Sequence, residues 1–284
     1  MVRFARFKDA AGAISYGIAQ ADGSLSYAEG CPFAATLRDT KRPAVPKHFL
    51  PPVEPSEILC IGLNYRKHAD ELKLPHPVNP VVFMKPLTCA TGHLSEIVKP
   101  RLTEKMDYEV ELAVVIGREC RDVTKDEAMD YVLGYTCAND LSTRDWQKLP
   151  HIAGSQWVRS KMFDGFAPLG PLLAMKEEIR DPHALGLRSY VNGQLFQDGS
   201  TSDLIFNIAE IISFLSISTT LRPGTVILTG TPFGVAEGRE APGKPWPYIK
   251  AGDRLAVEID GIGRLENSIV ADPSSAKCVF NAAL

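Results

Sequence analysis

The stretch 105–117, KMDYEVELAVVIG, sets two glutamates two positions apart in an otherwise apolar segment that predicts a strand. Because successive side chains of a strand alternate between the faces of a sheet, Glu109 and Glu111 point the same way. Two half-buried carboxylates this close repel each other unless a positive charge neutralises them. The stretch therefore predicts a β-sheet and, on one face of it, a candidate cation site.

A third carboxylate, Asp140, ends the next apolar stretch, 131–140, YVLGYTCAND. With Glu109 and Glu111 it would complete a site made only of oxygen ligands, which suits Mg²⁺, Mn²⁺ or Ca²⁺ better than zinc. No histidine or cysteine joins the cluster at ligand spacing. The alternative is a sheet with one outward charged face, on which alternating glutamates are common, and the E-x-E pattern alone leaves both interpretations open.

Five other segments contain polar residues, and together with their order along the chain they indicate a family. In chain order they read ILCIGLNYRKHADE (58–71), VVFMKP (81–86), NDLSTRDWQ (139–147), SKMFDGFAPLGP (160–171) and ILTGTPFG (227–234). With the stretch 107–116, this set resembles the fumarylacetoacetate hydrolase superfamily from about residue 56 to the C-terminus. Within it the chain is most similar to the small branch of fumarylacetoacetate hydrolase domain-containing proteins.

The resemblance implies an α+β, β-rich fold. It places a mixed β-roll of the fumarylacetoacetate hydrolase C-terminal domain type at 56–284, after a small N-terminal β domain and Pro-rich linker at 1–55. The residues agree with this expectation, because 1–30 alternate like short strands joined by turns, 57–63 reads as a strand, and the C-terminal third is strand and turn.

Two helices are predicted between the strands. The first, 124–132, begins at Thr124, and Glu127 three residues later completes a capping-box pattern. The second runs from 201 or 202 to 215, with Ser202 as the candidate N-cap, and ends before the sequence LRPGT.

Composition argues against several classes of function. The 284 residues are 45% hydrophobic, enough for a core, and the formal net charge of −3 gives no basic surface for nucleic acid. No apolar run reaches the roughly 20 residues that a membrane span needs. Arg3, Arg6 and Lys8 also fit a mitochondrial transit peptide, but apolar and polar residues alternate there as in a strand. Six cysteines without a C-x-x-C motif or a secretory signal indicate reduced thiols, and the expected location is cytoplasmic.

His68 and Glu71 are three residues apart, so on a short helix they share one face and can form a hydrogen bond. A histidine held by a carboxylate can activate water as a general base. The alternative is a surface helix with an isolated ion pair, and the spacing alone favours that alternative. The resemblance implies instead a catalytic dyad on a segment that closes over bound substrate, although Asp70 in the same turn is a second candidate partner for the histidine.

Arg144 and Gln147 follow Asp140 by four and seven positions, so a helical turn would place them on one face beside the metal. Such donors suit the carboxylate and developing enolate of a 2-oxo acid, whereas the alternative is that the cations only neutralise nearby acids. The resemblance implies that Lys161 contacts substrate and takes part in catalysis. It also implies four substrate-binding residues, which are Arg144, Gln147, Thr231 and Lys85.

These parts predict a divalent-metal-dependent enzyme, with Mg²⁺ as the expected cofactor and Mn²⁺ or Ca²⁺ as alternatives. Its substrate would be a small β-keto or β-carboxy 2-oxo acid, converted through a metal-stabilised enolate by C–C bond hydrolysis or decarboxylation, as for acylpyruvates or oxaloacetate. Keto–enol tautomerisation of oxaloacetate-like acids uses the same enolate and is the second expectation. A non-catalytic metal-binding scaffold is the third. A homodimer, with no nucleic-acid or membrane partner, is also expected.

Overall fold

The computed structural model of the chain describes residues 2–149, 155–244 and 247–273. Strands dominate it, and they are β1 (Arg3–Lys8), β2 (Ile14–Ala19), β3 (Leu25–Glu29), β4 (Arg38–Ala44), β5 (His48–Leu50), β6 (Glu57–Gly62), β7 (Val81–Lys85), β8 (Ala90–Thr91), β9 (Glu96–Lys99), β10 (Met106–Asp107), β11 (Val110–Ile116), β12 (Val132–Asn139), β13 (Ser142–Thr143), β14 (Ala167–Met175), β15 (Gly186–Val191), β16 (Gln194–Ser200), β17 (Thr225–Leu228), β18 (Arg254–Ile259) and β19 (Gly263–Ala271).

Short helices connect these strands. The α-helices are α1 (Arg66–Glu71), α2 (Lys125–Ala128), α3 (Arg144–Gln147), α4 (Trp157–Lys161), α5 (Ile208–Ser216) and α6 (Ala236–Arg239). The 3₁₀ helices are Pro32–Ala34, Leu87–Cys89, Met129–Tyr131, Lys176–Glu178 and Thr201–Asp203. Among the described residues, no helix has the length and apolar character that crossing a bilayer requires.

Two larger sheets organise the fold. The first has twelve strands in the order β4-β3-β2-β1-β14-β12-β11-β17-β6-β7, with β5 beside β1 and β8 beside β14. It is mixed, because β17 and β6 run parallel while the β11–β12 and β12–β14 pairs are antiparallel. The second has the order β16-β15-β18-β19-β9. The predicted α+β, β-rich fold with mixed sheets is therefore confirmed.

The N-terminal strands extend the large sheet. β1 pairs with β14, with Arg3 opposite Ala174 and Phe4 opposite Leu173. The last part of residues 1–55, which we expected to be a Pro-rich linker, contains the end of β4 and all of β5. β5 pairs with β1. A domain boundary at residue 55 stays a prediction, and the strands on its two sides share one hydrogen-bonded sheet.

The central strand β11 is more deeply buried than the sequence pattern predicts. All seven of its residues are buried, and side chains that alternate along the strand belong to two different hydrophobic clusters. Leu112 and Val114 pack in the cluster that includes residues of α5 and β18, whereas Ala113 and Val115 pack with residues of β6 and β17. The alternative of an outward charged face is therefore wrong for this strand, and a carboxylate on it is removed from water.

The two predicted helices are present, with different bounds. Thr124 and Glu127 do form the capping box, but α2 is one turn long and passes into the 3₁₀ helix Met129–Tyr131. The second helix does not begin at Ser202. It is α5, and its N-cap is Asn207, whose side chain accepts the N–H of Glu210 in a capping box.

The late start of α5 has a tertiary cause. The backbone N–H of Ile205 donates to the Asn64 carbonyl at 2.8 Å, and that of Phe206 donates to Asn64 Oδ1 at 2.8 Å. These bonds tie residues 205 and 206, which are not helical, to the segment before α1. The overlooked local signal is the N-x-x-E pattern at 207–210.

We expect Asn207→Ala to lower the free energy of unfolding by about 1 kcal/mol, the usual cost of losing an N-cap acceptor. Ser202→Ala is the matched control, because within the described part of the chain its hydroxyl contacts the Ser200 hydroxyl alone, at 3.0 Å, and caps no α-helix. Thermal and denaturant unfolding of both variants measures the difference. Equal destabilisation by the two changes would contradict the assignment of Asn207 as the cap.

Candidate active site

The antiparallel pair β11–β12 brings three carboxylates together. Glu109 precedes β11, Glu111 is its second residue, and Asp140 directly follows β12. Because Val110 lies opposite Asn139, the end of β12 meets the start of β11, and the N–H of Asp140 donates to the Glu109 carbonyl at 2.9 Å. Each residue offers a carboxylate oxygen that lies within 4.8 Å of the other two, and all three side chains are buried. The predicted ligand set therefore assembles as expected.

Buried cations surround two of these carboxylates. Lys161 Nζ lies 2.6 Å from Glu109 Oε2 and 2.6 Å from Asp140 Oδ2. Arg144 Nη2 also donates to Glu109, and Lys85 Nζ donates to Asp140. Although burial lowers the pKa of Lys161, the charges of Asp140 and Glu109 outweigh it and raise the pKa above its ordinary value. The cations therefore do neutralise these two acids, and Arg144 and Lys161 keep N–H donors that these contacts do not use.

Glu111 is the carboxylate without an ion pair in the part of the chain that the structure describes. Its Oε2 accepts the N–H of Gly230 at 2.6 Å. Burial raises the pKa of Glu111 well above its ordinary value, and the negative charges of Asp140 and Glu109 raise it further. Glu109 behaves oppositely, because Lys161 and Arg144 overcome the effect of burial and lower its pKa.

Among the described residues, Glu109 and Asp140 each contact two cations, whereas no cation pairs with Glu111. Four buried carboxylates, counting Asp107 next to Arg144, face three buried cations. A hard divalent cation held by the oxygens of Glu109, Glu111 and Asp140 would supply the missing charge. The residues present thus fit a metal ion of the kind that the sequence predicts.

The carboxylates lie in a cavity of about 340 Å³, within the range of small-ligand sites. Its lining combines charged side chains with apolar ones, among them Ile61, Leu72, Leu74, Phe83 and Trp157. Of the predicted site residues, those that line it are His68, Glu109, Glu111, Asp140, Arg144, Gln147, Lys161 and Thr231. Glu71 and Lys85 are not part of this lining, but each contacts one of its members, His68 and Asp140 respectively.

The histidine partner, which the sequence left open between Asp70 and Glu71, is Glu71. His68 Nδ1 lies 3.2 Å from Glu71 Oε2, and His68 is buried. Asp70 instead contacts His76 Nε2 at 2.9 Å on the exposed side of α1. The i, i+3 spacing on α1 therefore forms the predicted dyad.

Arg144 and Gln147 reach the cavity by a different route from the one the spacing suggested. Asp140 lies outside any helix, and α3 begins only at Arg144, so the three residues do not share one helical face. Between Asp140 and Arg144 the chain forms β13, which pairs with β10. Arg144 Nη1 donates to Gln147 Oε1 at 3.3 Å. The convergence was predicted correctly, and the helical reason for it was wrong.

Two functional neighbours were not singled out from the sequence. Asp107, fully buried, accepts the Nε–H of Arg144 at 2.8 Å. Gln197 Nε2 donates to the Thr231 hydroxyl at 2.8 Å, and that hydroxyl in turn donates to the Val110 carbonyl at 2.9 Å. Asp107 stands in the DYEVE motif and so had a signal. Gln197 had none, because only the fold brings it to Thr231.

The chain matches the family model described as fumarylacetoacetate (FAA) hydrolase C-terminal over residues 57–270. An uncharacterised protein of Archaeoglobus fulgidus is 46% identical over 230 residues, which cover 81% of this chain and 85% of that protein. The mitochondrial oxaloacetate tautomerase FAHD2A of Homo sapiens is 41% identical over 223 residues, which cover 78% of this chain and 69% of that protein.

Solved structures share the fold. The 2-hydroxyhepta-2,4-diene-1,7-dioate isomerase of Mycobacterium marinum superposes with a TM-score of 0.79 at 35% identity, covering 96% of this chain and 100% of its own. The fumarylacetoacetate hydrolase of psychrophilic Exiguobacterium antarcticum gives 0.80 at 31% identity, with the same coverage. The likeness therefore extends beyond 57–270 into the N-terminal strands.

Proposed function

The chain belongs to the fumarylacetoacetate hydrolase family, and from that premise we propose that it is a divalent-metal-dependent enzyme that acts on a 2-oxo acid. The observation that carries the proposal is the cavity in which three buried carboxylates, Arg144, Lys161 and the histidine of the dyad meet. A cluster that only stabilised the sheet would need neither a cavity nor a dyad beside it. The proposed cation is Mg²⁺, and Mn²⁺ or Ca²⁺ would suit the same oxygens.

Arg144 and Lys161 have donors left for an anionic substrate. A guanidinium has five N–H groups, and the contacts of Arg144 with Asp107, Glu109 and Gln147 leave one N–H on each terminal nitrogen. An ammonium has three, and Lys161 gives two to Glu109 and Asp140. We assign the spare donors to the carboxylate and 2-oxo oxygens of the substrate, with Gln147, Thr231 and Lys85 in supporting roles.

A bound divalent cation would act as a Lewis acid that polarises the 2-oxo group and so favours the enolate. The dyad supplies the proton transfer. Because the Glu71 carboxylate faces His68 Nδ1, it favours the tautomer with the proton on Nδ1 and leaves the Nε2 lone pair available as a base. The base can accept a proton from the substrate carbon or from water.

Three reactions use this enolate, and two of them need the base. Proton transfer alone gives keto–enol tautomerisation of an oxaloacetate-like acid, whereas activated water gives hydrolysis of a C–C bond, as in acylpyruvates. Decarboxylation of a β-carboxy 2-oxo acid needs neither the removal of a proton from carbon nor an activated water. The sequence favoured C–C hydrolysis or decarboxylation, but the similarity to proteins named oxaloacetate tautomerase leads us to propose tautomerisation first and C–C cleavage second.

A substrate panel with metal control tests the proposal. We expect purified protein to accelerate the tautomerisation of enol-oxaloacetate, the hydrolysis of acetylpyruvate or the decarboxylation of oxaloacetate. EDTA should remove the activity and Mg²⁺ or Mn²⁺ should restore it, because both ions accept the same oxygen ligands. Turnover that EDTA leaves unchanged would contradict the metal requirement, and no turnover of any of the three acids with metal present would contradict the substrate class.

Two further expectations concern the oligomeric state and the location. A homodimer and a cytoplasmic location, both predicted from the sequence, stay predictions, and some of the named relatives are mitochondrial. Sedimentation of the purified protein and imaging of the tagged chain in its own cell would test them.

A further inference from the structure

Two glycines that follow β17 approach the carboxylate of Glu71, Gly234 in the loop before α6 and Gly238 within α6. We propose that Gly234 and Gly238 are positioning residues for the reaction, because together they form a seat that fixes Glu71 and, through it, the His68 imidazole. The inference rests on the proposed function in taking His68 as the base. The seat itself is a structural feature with its own measurable consequence.

Gly234 supplies the hydrogen bonds of the seat. Its N–H donates to both carboxylate oxygens of Glu71, at 3.0 and 3.1 Å. The residue has a φ of +97°, and a Cβ added there would lie 2.5 Å from the Phe196 carbonyl oxygen. Both observations exclude a side chain at this position without movement of the turn. The N–H can therefore point at Glu71 because the residue is glycine.

Gly238 supplies the space of the seat. A Cβ added to it would lie 2.2 Å from Cδ of Glu71, 2.4 Å from Oε1 and 2.7 Å from Cγ. Glycine is unfavourable in a helix relative to alanine by about 1 kcal/mol, and Gly238 lies within α6. Alanine at this position would stabilise the helix but would displace the Glu71 carboxylate. Glycine at 238 is therefore explained by the space that Glu71 needs and not by the stability of α6.

Buried contacts hold the seat in place. The Gly234 carbonyl accepts the Tyr108 hydroxyl at 3.3 Å and Arg239 Nε at 3.0 Å. Asp107 accepts the N–H groups of Ala236 at 2.7 Å and of Glu237 at 3.1 Å. Since Asp107 also accepts Arg144 Nε, one buried carboxylate ties the seat of the dyad to the guanidinium that we assign to the substrate.

The other end of α1 is held independently. Arg66 Nη1 donates to the Asp203 carbonyl at 3.2 Å, and the Lys67 N–H donates to Asp203 Oδ2 at 3.0 Å. Loss of the seat should therefore displace the C-terminal end of α1, where His68 and Glu71 lie, while the first turn stays attached. A local change in the dyad is expected, and not unfolding of the site.

Gly238→Ala tests the seat through a double-mutant cycle with Glu71→Ala. In the wild-type background we expect Gly238→Ala to lower kcat about 10²-fold, the scale of a 1 Å misplacement of a catalytic group, with KM nearly unchanged. In the Glu71→Ala background the carboxylate that the methyl meets is gone, so the same change should cost less than about twofold. Gly243→Ala adds a methyl where nothing lies within 4 Å, at a φ of +75°, so it is the control for the general strain of a nearby glycine replacement that does not reach Glu71.

Hydrogen exchange gives a readout that does not depend on turnover. In Gly238→Ala the N–H of Leu72, which donates to the His68 carbonyl at 3.1 Å, should exchange at least ~10-fold faster than in wild type and in Gly243→Ala. Equal kcat losses in both backgrounds, or wild-type kcat and exchange in Gly238→Ala, would overturn the seat. If wild-type protein converts no 2-oxo acid, the proposed function fails, and unchanged exchange in Gly238→Ala alone would then overturn the seat.

Discussion

Replacement of Glu109, Glu111 or Asp140 by alanine is expected to lower the rate of turnover of every 2-oxo acid by about 10³-fold or more. The Lewis-acid contribution of a bound cation is several kcal/mol, and each 1.4 kcal/mol is a factor of ten in rate. Titration calorimetry with Mg²⁺ or Mn²⁺ should show no binding in the same variants. Full activity in any of them would exclude that residue as a ligand.

Replacement of the same glutamates by glutamine distinguishes the loss of a metal ligand from the loss of folding stability. Glu111→Gln removes the carboxylate that has no ion pair among the described residues, and the amide can still accept the N–H of Gly230. We therefore expect metal-free Glu111→Gln to be at least as stable as wild type. Glu109→Gln breaks buried pairs with Lys161 and Arg144 and should cost about 3–5 kcal/mol of unfolding free energy.

Denaturant unfolding in EDTA measures this contrast. Because neither variant can complete the ligand set, both should lose the stabilisation that Mg²⁺ gives to wild-type protein. Equal stability of the two metal-free variants would contradict the assignment of the missing positive charge to Glu111.

His68→Ala is expected to reduce tautomerisation and C–C hydrolysis by at least ~10²-fold, as for the loss of a general acid–base group. Decarboxylation should tolerate the change better, since it needs no attacking water and no carbon-bound proton removed by the imidazole. The Lewis-acid contribution comes from the carboxylate site and is unaffected by the change. Rates for oxaloacetate decarboxylation and for the other two reactions, measured on one preparation, give the comparison.

Lys67→Ala is the matched control for this experiment. It changes a neighbouring side chain of α1 that lies outside the cavity lining, while the backbone N–H that contacts Asp203 stays. Its rates should stay within about twofold of wild type. Equal losses of all three activities in His68→Ala would mean that the imidazole closes or orders the cavity, and would leave the proposed reactions without their base.

The grouping of the three carboxylates could be predicted because its signal is local. Strand alternation fixes the relation of Glu109 to Glu111, and Asp140 follows the adjacent strand of a hairpin-like pair. The register of β11 with β12 then needs only the apolar pattern of the two segments. Burial on both faces was less predictable, because it depends on which distant elements cover β11.

Features that depend on distant contacts could not be predicted in the same way. The N-cap is Asn207 and not Ser202 because Asn64, which lies 142 residues before Phe206, accepts the N–H of Phe206 and keeps that residue outside the helix. Asp107 and Ala236 are 129 residues apart, and no spacing rule joins them. The partner of His68 was undecided for a related reason, since Gly234 meets Glu71 from another part of the chain.

A crystal structure of the protein with Mn²⁺ and oxalate tests the central claim most directly. The claim predicts an anomalous peak for a manganese ion that is coordinated by oxygens of Glu109, Glu111 and Asp140. Oxalate should lie on the open side of the ion, within reach of Arg144. His68 should face the oxalate while Glu71 stays in contact with Nδ1. A manganese peak elsewhere, or one with histidine or cysteine ligands, would contradict the account.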